Sequence, residues 1–273
     1  MQARRQGTIA VPVRLEGIGL HTGEFRRMTL RPAPPDTGVV FRRSGGEAVP
    51  ATLAAVSGTS GCIALGGERG VQTVEHLLSA AWALGVDNLQ VDLDGREVPG
   101  LDGSALPIVR ALAEAGREPQ AAARPILEIR EPVWVGAGGA WVVALPAPQF
   151  GVACLVTLEA PRSEEQGATF DPARDRYEEV IAPARTWGYE RDADALHRRG
   201  LALGASLQNT LVIGGDGFLN PPRFPNEAAR HKVLDLLGDL ALVGSEIRGY
   251  VIAVRAGHGL HVALAKALRG REG

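Results

Sequence analysis

The predicted strands of this 273-residue chain follow one another with few helices between them, and this adjacency is the strongest constraint on its fold. Strands joined by short turns pair antiparallel, whereas parallel neighbours need a crossover of about a dozen or more residues. Each half of the chain is predicted to combine several such strands with two helices. The pattern favours an α+β fold, in which a mainly antiparallel sheet is layered with helices, over a βαβα alternation.

A chain of this length is comfortable for two domains. We place the boundary at residues 117–125, REPQAAARP, because this polar run, rich in Pro and Ala, has neither helical nor strand periodicity. The expected domains are therefore residues 1–120 and 126–273. They are predicted to be similar in build, although the residues themselves show no repeat strong enough to prove a duplication.

Apolar spacing predicts two helices that matter for function. Residues 71–86 have apolar side chains at helical intervals, with Gly85 closing the predicted helix and Thr73 as the expected N-cap. Residues 226–244 form a longer predicted helix. His231 and Asp235 are four positions apart on this helix, so their side chains share one face.

The spacing of His231 and Asp235 suits two metal ligands, although an ordinary exposed i,i+4 pair has the same spacing. A catalytic zinc site needs three protein ligands and an open fourth position. His76 is the best third candidate because its apolar helix draws it inward, and a half-buried structural histidine is the alternative. Glu75, beside it, is the candidate general base that takes a proton from the attacking water. Two imidazoles and one carboxylate suit Zn²⁺ and also Fe²⁺.

The charge balance argues against one class of partner. With 29 Lys+Arg and 31 Asp+Glu the formal net charge is −2, so no basic field is available to hold nucleic acid or an anionic membrane surface. No stretch approaches the roughly 20 apolar residues of a spanning helix, and the first residues lack the apolar region of a signal peptide. We therefore expect no transmembrane segment and a cytoplasmic location.

Six separate motifs point to a known family. They are, in chain order, GIGLHTG (17–23), TVEHLLSA (73–80), LGVDNLQVDLDGREVPGLDGSA (84–105), PARTWGY (183–189), RFPNEAARHKVLDLLGDL (223–240) and AGHGLH (256–261). In these motifs, their order and their spacing, the chain resembles UDP-3-O-acyl-N-acetylglucosamine deacetylase, the zinc amidase family of lipid A biosynthesis, over nearly its whole length.

The resemblance implies a catalytic role for several residues. It assigns zinc binding and the general base to the candidates already named. It further implies that His258 protonates the leaving amine and that Asp239 orients His258 and favours its charged form. Thr186 matches the residue that hydrogen-bonds the developing oxyanion.

The resemblance also implies substrate contacts. Lys232 and His21 match positions in the binding site, with a solvated lysine and a turn residue as the alternatives. Residues 186–213 match an inserted unit that forms a hydrophobic passage for the acyl chain. Leu201 would line this passage and Trp187 would lie at its mouth or against the sugar, with plain core packing as the alternative for the Leu201 segment.

Four positions depart from the family pattern. Trp187 stands where Phe is common, Glu190 where an apolar residue is usual, Asn226 where an acidic residue is usual and His261 where Asn is usual. None of the four is a predicted ligand or catalytic group. The changes leave acyl-chain length and head-group contacts open.

The reaction implied by the resemblance is removal of acetate from the 2-acetamido group of a UDP-linked, 3-O-acylated glucosamine, at a site between two similar α+β domains. The implied cofactor is Zn²⁺, with Fe²⁺ as the alternative, and a monomer is expected. Two other hypotheses remain: a zinc amidase acting on another acylated or acetylated sugar nucleotide, and a non-catalytic ligand-binding or structural relic. A relic would be expected to have lost a ligand or the base, whereas all of these residues are present.

Overall fold

The structure is a computed structural model that describes residues 4–159 and 163–270. In the first half the elements are β1 (Arg5–Ile9), β2 (Val13–Ile18), β3 (Phe25–Pro32), β4 (Val39–Arg43), β5 (Ala48–Pro50), β6 (Val56–Gly58), β7 (Ala64–Leu65), β8 (Val71–Gln72), α1 (Glu75–Leu84), β9 (Leu89–Leu93), α2 (Leu106–Ala115) and β10 (Arg117–Ala123).

In the second half the elements are β11 (Ile126–Glu128), β12 (Val133–Ala137), β13 (Ala140–Leu145), β14 (Gly151–Leu158), β15 (Glu164–Phe170), α3 (Tyr177–Val180), β16 (Trp187–Tyr189), α4 (Ala193–Arg198), β17 (Leu211–Ile213), α5 (Glu227–Ala241), β18 (Glu246–Arg248), β19 (Tyr250–Val254) and α6 (His258–Arg269). Among the described residues no helix is long and apolar enough to cross a membrane.

Each half contains a five-stranded sheet, and the two sheets have the same topology. The strand order is β2-β3-β9-β4-β5 in the first and β12-β13-β19-β14-β15 in the second. In both, the last strand along the chain lies at the centre, antiparallel to the second strand and parallel to the third. The predicted α+β fold with two similar, mainly antiparallel sheets is confirmed. The shared strand order supports the duplication that the residues alone did not prove.

The equivalent helices of the two halves meet each other. In each half one helix precedes the central strand, α1 in the first and α5 in the second, and these two helices pack together. Gly238 of α5 makes the approach close, because a Cβ at this position would overlap the carbonyl oxygen of Glu75. The backbone of α5 therefore lies directly against the first turn of α1, the turn that contains the Glu-His pair.

Two local predictions are wrong. Residues 117–123, predicted to be part of an irregular linker, form β10 and pair antiparallel with β1 near the start of the chain. Thr73 is not the N-cap of α1, since Val74 occupies that position. Thr73 instead adopts a positive φ of 59°, and its hydroxyl donates to Glu97. Both features depend on partners distant in sequence, which local periodicity does not report.

Replacing Gly238 with Ala is expected to lower the free energy of unfolding by about 1–3 kcal/mol, the usual range for overpacking, because the added methyl group would push α5 away from α1. The measurement is denaturant unfolding followed by circular dichroism. Gly259→Ala is the matched control, because this helical glycine would place its Cβ 3.6 Å from the nearest atom, the hydroxyl of Thr59. Equal unfolding midpoints for the two variants would contradict the close contact.

Candidate metal centre and active site

The three candidate metal ligands converge from the two packed helices. His76 lies in the first turn of α1, and His231 and Asp235 lie one turn apart on α5. All three side chains are buried, and one ligand atom from each lies within 4.8 Å of the others. The rings of His76 and His231 meet edge to face with their centroids 5.1 Å apart. Two imidazoles and a carboxylate at this separation are a donor set that fits a divalent transition metal.

The three candidate ligands are also in the ionisation states that metal binding requires. Burial lowers the pKa of His76 to about 3 and lowers the pKa of His231, so both rings are neutral near pH 7. Nδ1 of His231 donates to the carbonyl oxygen of Ala184 at 3.1 Å, which leaves the Nε2 lone pair for a metal. Burial opposes ionisation of Asp235, yet the charge of Lys232 is the largest of the effects that hold its pKa well below the usual range.

Glu75 lies beside these ligands and is not one of them. Its Oε2 accepts a hydrogen bond from the backbone N–H of Ile63 at 3.0 Å. Its Oε1 is 4.0 Å from Nε2 of His258. Burial raises the pKa of Glu75 to about 7, against the opposing charge of His258. A carboxyl group with this pKa is suited to accepting a proton near neutral pH.

His258 is held by Asp239, which follows Asp235 by one more turn of α5. Nδ1 of His258 donates to Oδ2 of Asp239 at 2.8 Å. Burial alone would lower the pKa of His258, but the charge and hydrogen bond of Asp239 outweigh it and raise the pKa to about 10. The imidazole is therefore charged near pH 7, with an Nε2 proton on the side that faces Glu75.

A cavity of about 550 Å³ opens at this cluster and extends along residues 186–213. Its lining includes every predicted site residue except Asp239, which lies behind His258: His21, Glu75, His76, Thr186, Trp187, Leu201, His231, Lys232, Asp235 and His258. The wall away from the ligands is largely apolar, with Leu196, Leu201, Ala202, Ala205, Leu207 and Val212. One end of the cavity is thus polar and contains the titratable side chains, and the other end is apolar.

Two polar side chains of the cavity retain unused donors. Nδ1 of His21 accepts from the backbone N–H of Ala202 at 3.3 Å, so the ring hydrogen is on Nε2. This Nε2, like Nε1 of Trp187, is buried and has no hydrogen-bond partner in the described parts of the chain. Lys232 lies above the Trp187 ring at 6.0 Å and donates to Asp235 at 2.8 Å. The cavity is therefore supplied with donors where the sequence predicted substrate contacts.

Sequence reasoning missed Glu97, a fully buried carboxylate that organises this region. Glu97 accepts hydrogen bonds from the backbone N–H groups of His21 and Thr22 at 2.7 and 2.8 Å. The hydroxyl groups of Thr22 and Thr73 donate to it as well. Glu97 thus ties the loop that carries His21 to the strained residue that precedes α1. The only sequence signal was its place inside one of the matched motifs, which gave it no role.

Beside the candidate metal ligands lie one carboxyl group that can take a proton and one imidazolium that can give one. These are the groups that hydrolysis needs, so the fold and site define a metal-dependent hydrolase. Comparison with known families narrows this class further. Residues 6–270 match the family described as LpxC, UDP-3-O-acyl N-acetylglycosamine deacetylase, and the chain belongs to that family.

Curated relatives carry the corresponding name. A UDP-3-O-acyl-N-acetylglucosamine deacetylase of Syntrophotalea carbinolica is 40% identical over 262 residues, covering 94% of this chain and 85% of the relative. The enzyme of the same name from Thermosynechococcus vestitus is 40% identical, covering 97% and 94% of the two chains. The one from Phenylobacterium zucineum is also 40% identical with the same coverage. The resemblance stated from the six motifs is confirmed.

Replacing Glu97 with Gln is expected to lower the free energy of unfolding by about 1–3 kcal/mol. In either orientation the new NH₂ group would face the backbone N–H of His21 or Thr22, so that one buried donor loses its acceptor. Thermal and denaturant unfolding measure the change. Glu16→Gln, at a side chain that is 54% exposed, is the control and should change stability by less than about 0.5 kcal/mol. Equal losses in the two variants would argue against the organising role of Glu97.

Proposed function

We infer that this chain removes the acetyl group from the 2-acetamido group of a UDP-linked, 3-O-acylated glucosamine, giving acetate and a free amine in lipid A biosynthesis. The observation that supports this most is family membership over residues 6–270, combined with a complete set of hydrolytic groups at the head of the cavity. The apolar wall suits the acyl chain of such a substrate, and the polar end suits its amide.

We propose that His76, His231 and Asp235 hold the metal, and that this metal is Zn²⁺, with Fe²⁺ as the alternative for the same donors. When bound, the ion would polarise the amide carbonyl and lower the pKa of water. Lys232 supports the same site. Its ammonium group donates to Oδ2 of Asp235 and keeps the carboxylate ionised, whereas His231 faces Oδ1.

Proton transfer is assigned to two residues of the chain. Glu75 takes a proton from the attacking water, and its free oxygen for this task is Oε1, since Oε2 accepts from the backbone of Ile63. His258 gives its Nε2 proton to the leaving nitrogen as the C–N bond breaks. Oε1 of Glu75 and Nε2 of His258 are 4.0 Å apart, so the proton acceptor and the proton donor are close enough to act on the same amide group.

The substrate contacts are proposed from the lining. The hydroxyl of Thr186 would donate to the oxyanion, a contact that stabilises mainly the transition state. The unused donors of His21 and Trp187 would bind oxygen atoms of the head group, near the ammonium of Lys232. Leu201 would contact the acyl chain.

We also propose the organisation expected from the sequence. The domains are residues 1–120 and 126–273, with residues 186–213 as the unit that forms the acyl passage, and the enzyme works as a cytoplasmic monomer. Light scattering after size-exclusion chromatography tests the oligomeric state, because a monomer should have the mass of one 28.7 kDa chain.

Chelation and the Glu75→Gln substitution are expected to abolish deacetylation for different reasons. The chelated protein should lose its metal and regain activity when Zn²⁺ is restored. The variant should keep its metal and lose activity by about 100-fold or more, since it retains the shape of the side chain and lacks the base. Acetate release from UDP-3-O-acyl-N-acetylglucosamine is measured together with bound metal.

A variant that keeps both metal and activity would exclude Glu75 as the base. Wild-type protein that binds metal and leaves this substrate intact would exclude the proposed substrate. Trp187 and Glu190, both in the cavity lining and both departures from the family pattern, would then be the first positions to examine with other acylated sugar nucleotides.

Asp239→Asn is expected to move the alkaline limb of the kcat/KM profile to lower pH. His258 must be protonated to act as an acid, so activity falls as pH rises through its pKa. The Asp239 carboxylate raises that pKa towards about 10, and the neutral amide would no longer do so. An alkaline limb that stays in place in this variant would mean that the limb reports another group.

A further inference from the structure

One buried titratable group beside the active site has no part in the mechanism above. His261 is completely buried, and its Nδ1 donates to Oδ2 of Asp239 at 2.8 Å. His258 donates to the same oxygen at the same distance. The second carboxylate oxygen, Oδ1, is buried and has no hydrogen-bond partner among residues 4–159 and 163–270. The two hydrogen bonds to the Asp239 side chain are therefore both donated by imidazoles, and both are accepted by the same oxygen.

The carboxylate cannot hold its orientation through His258 alone. The pKa of Asp239 lies below its usual range because the two histidines outweigh its burial, so the carboxylate is ionised and only accepts hydrogen bonds. With a single donor on Oδ2 and none on Oδ1, rotation about its last side-chain bond would be free to exchange the two oxygens. The ring of His261, at 77° to that of His258, gives Oδ2 a second donor from another direction.

The two histidines are also fixed relative to each other. They are three residues apart in the first turn of α6, so both project from the same side of that helix. Asp239 lies on α5, which packs against α6. The three side chains therefore clamp the start of α6 to α5 at the point where His258 faces Glu75.

We propose that His261 is a positioning residue for the reaction. By donating to Oδ2 it fixes the Asp239 carboxylate, which in turn holds the Nδ1–H group of His258 and aims the Nε2–H group at the leaving nitrogen. This inference rests on the proposed role of His258 as the acid. It concerns a position where the chain departs from its family pattern, in which Asn is usual.

The chemistry of the side chains supplies a matched pair of variants. Nδ1 of His and Nδ2 of Asn are both bonded to Cγ, so Asn can place a donor at the same reach. Leu branches at Cγ in the same way and has no donor. Both substitutions remove a similar part of the ring, and they differ chiefly in the hydrogen bond to Asp239.

The test is steady-state kinetics of metal-loaded His261→Asn and His261→Leu, with bound metal and thermal stability measured in each. We expect His261→Leu to lower kcat by about 10- to 100-fold with little change in KM or metal content, the range seen when a supporting hydrogen bond is removed. His261→Asn should retain most of the activity. Equal kcat values for the two variants would overturn the proposal and leave His261 as packing only.

A second measurement does not depend on turnover. ¹H–¹⁵N NMR of the histidine rings follows how firmly the Nδ1–H of His258 is held, with His258 assigned through His258→Ala. The wild type and His261→Asn should show a sharp Nδ1–H signal for His258, and His261→Leu should show this signal weakened or broadened by exchange. Identical His258 spectra in all three would overturn the proposal. If the wild type fails to deacetylate the substrate, the proposed function is wrong, and these spectra still decide whether His261 fixes the ring.

Discussion

The active site depends on the contact between the backbone of Gly238 in α5 and that of Glu75 in α1. Neither helix holds a complete site, because α1 supplies the proposed base and one candidate imidazole ligand, and α5 supplies the other candidate ligands and Asp239. A side chain at position 238 would separate the two sets. Since α1 and α5 occupy equivalent places in two sheets of the same topology, the candidate metal centre lies where the two similar halves meet.

This contact buries three carboxyl groups together, and their neighbours give each a different character. Asp235 is matched by Lys232 at 2.8 Å and Asp239 by His258 at 2.8 Å, so both are held ionised. Glu75 accepts only a backbone hydrogen bond, with its cationic neighbour 4.0 Å away. Burial opposes ionisation of all three, but the net shift raises the pKa of Glu75 and lowers the pKa of Asp235 and Asp239. These different contacts support the proposed roles of Asp235 as a ligand, Asp239 as a positioning carboxylate and Glu75 as the base.

The sequence predicted the parts of this arrangement that are local. Helical spacing placed His231 and Asp235 on one face, and the family motifs supplied His258 and Asp239. The parts it missed depend on pairing across the chain. Strand β10 exists because it pairs with β1, more than a hundred residues earlier, and its mostly exposed side chains leave no alternating pattern. The role of Glu97 is likewise invisible locally, because its partners lie in a loop some 75 residues away.

The two halves differ in the segments that precede their equivalent helices. One segment supports a proposed catalytic group, and the other lines the space for a substrate. Before α1, the loop that joins β6 to β7 supplies the backbone N–H of Ile63 that holds Glu75. Before α5, residues 186–213 supply the apolar wall of the cavity. The two segments touch where Arg199 donates to the hydroxyl of Ser60 at 3.0 Å. Trp187 and Glu190 belong to the second segment, so they can reshape the space for a substrate without displacing the proposed base or its backbone support.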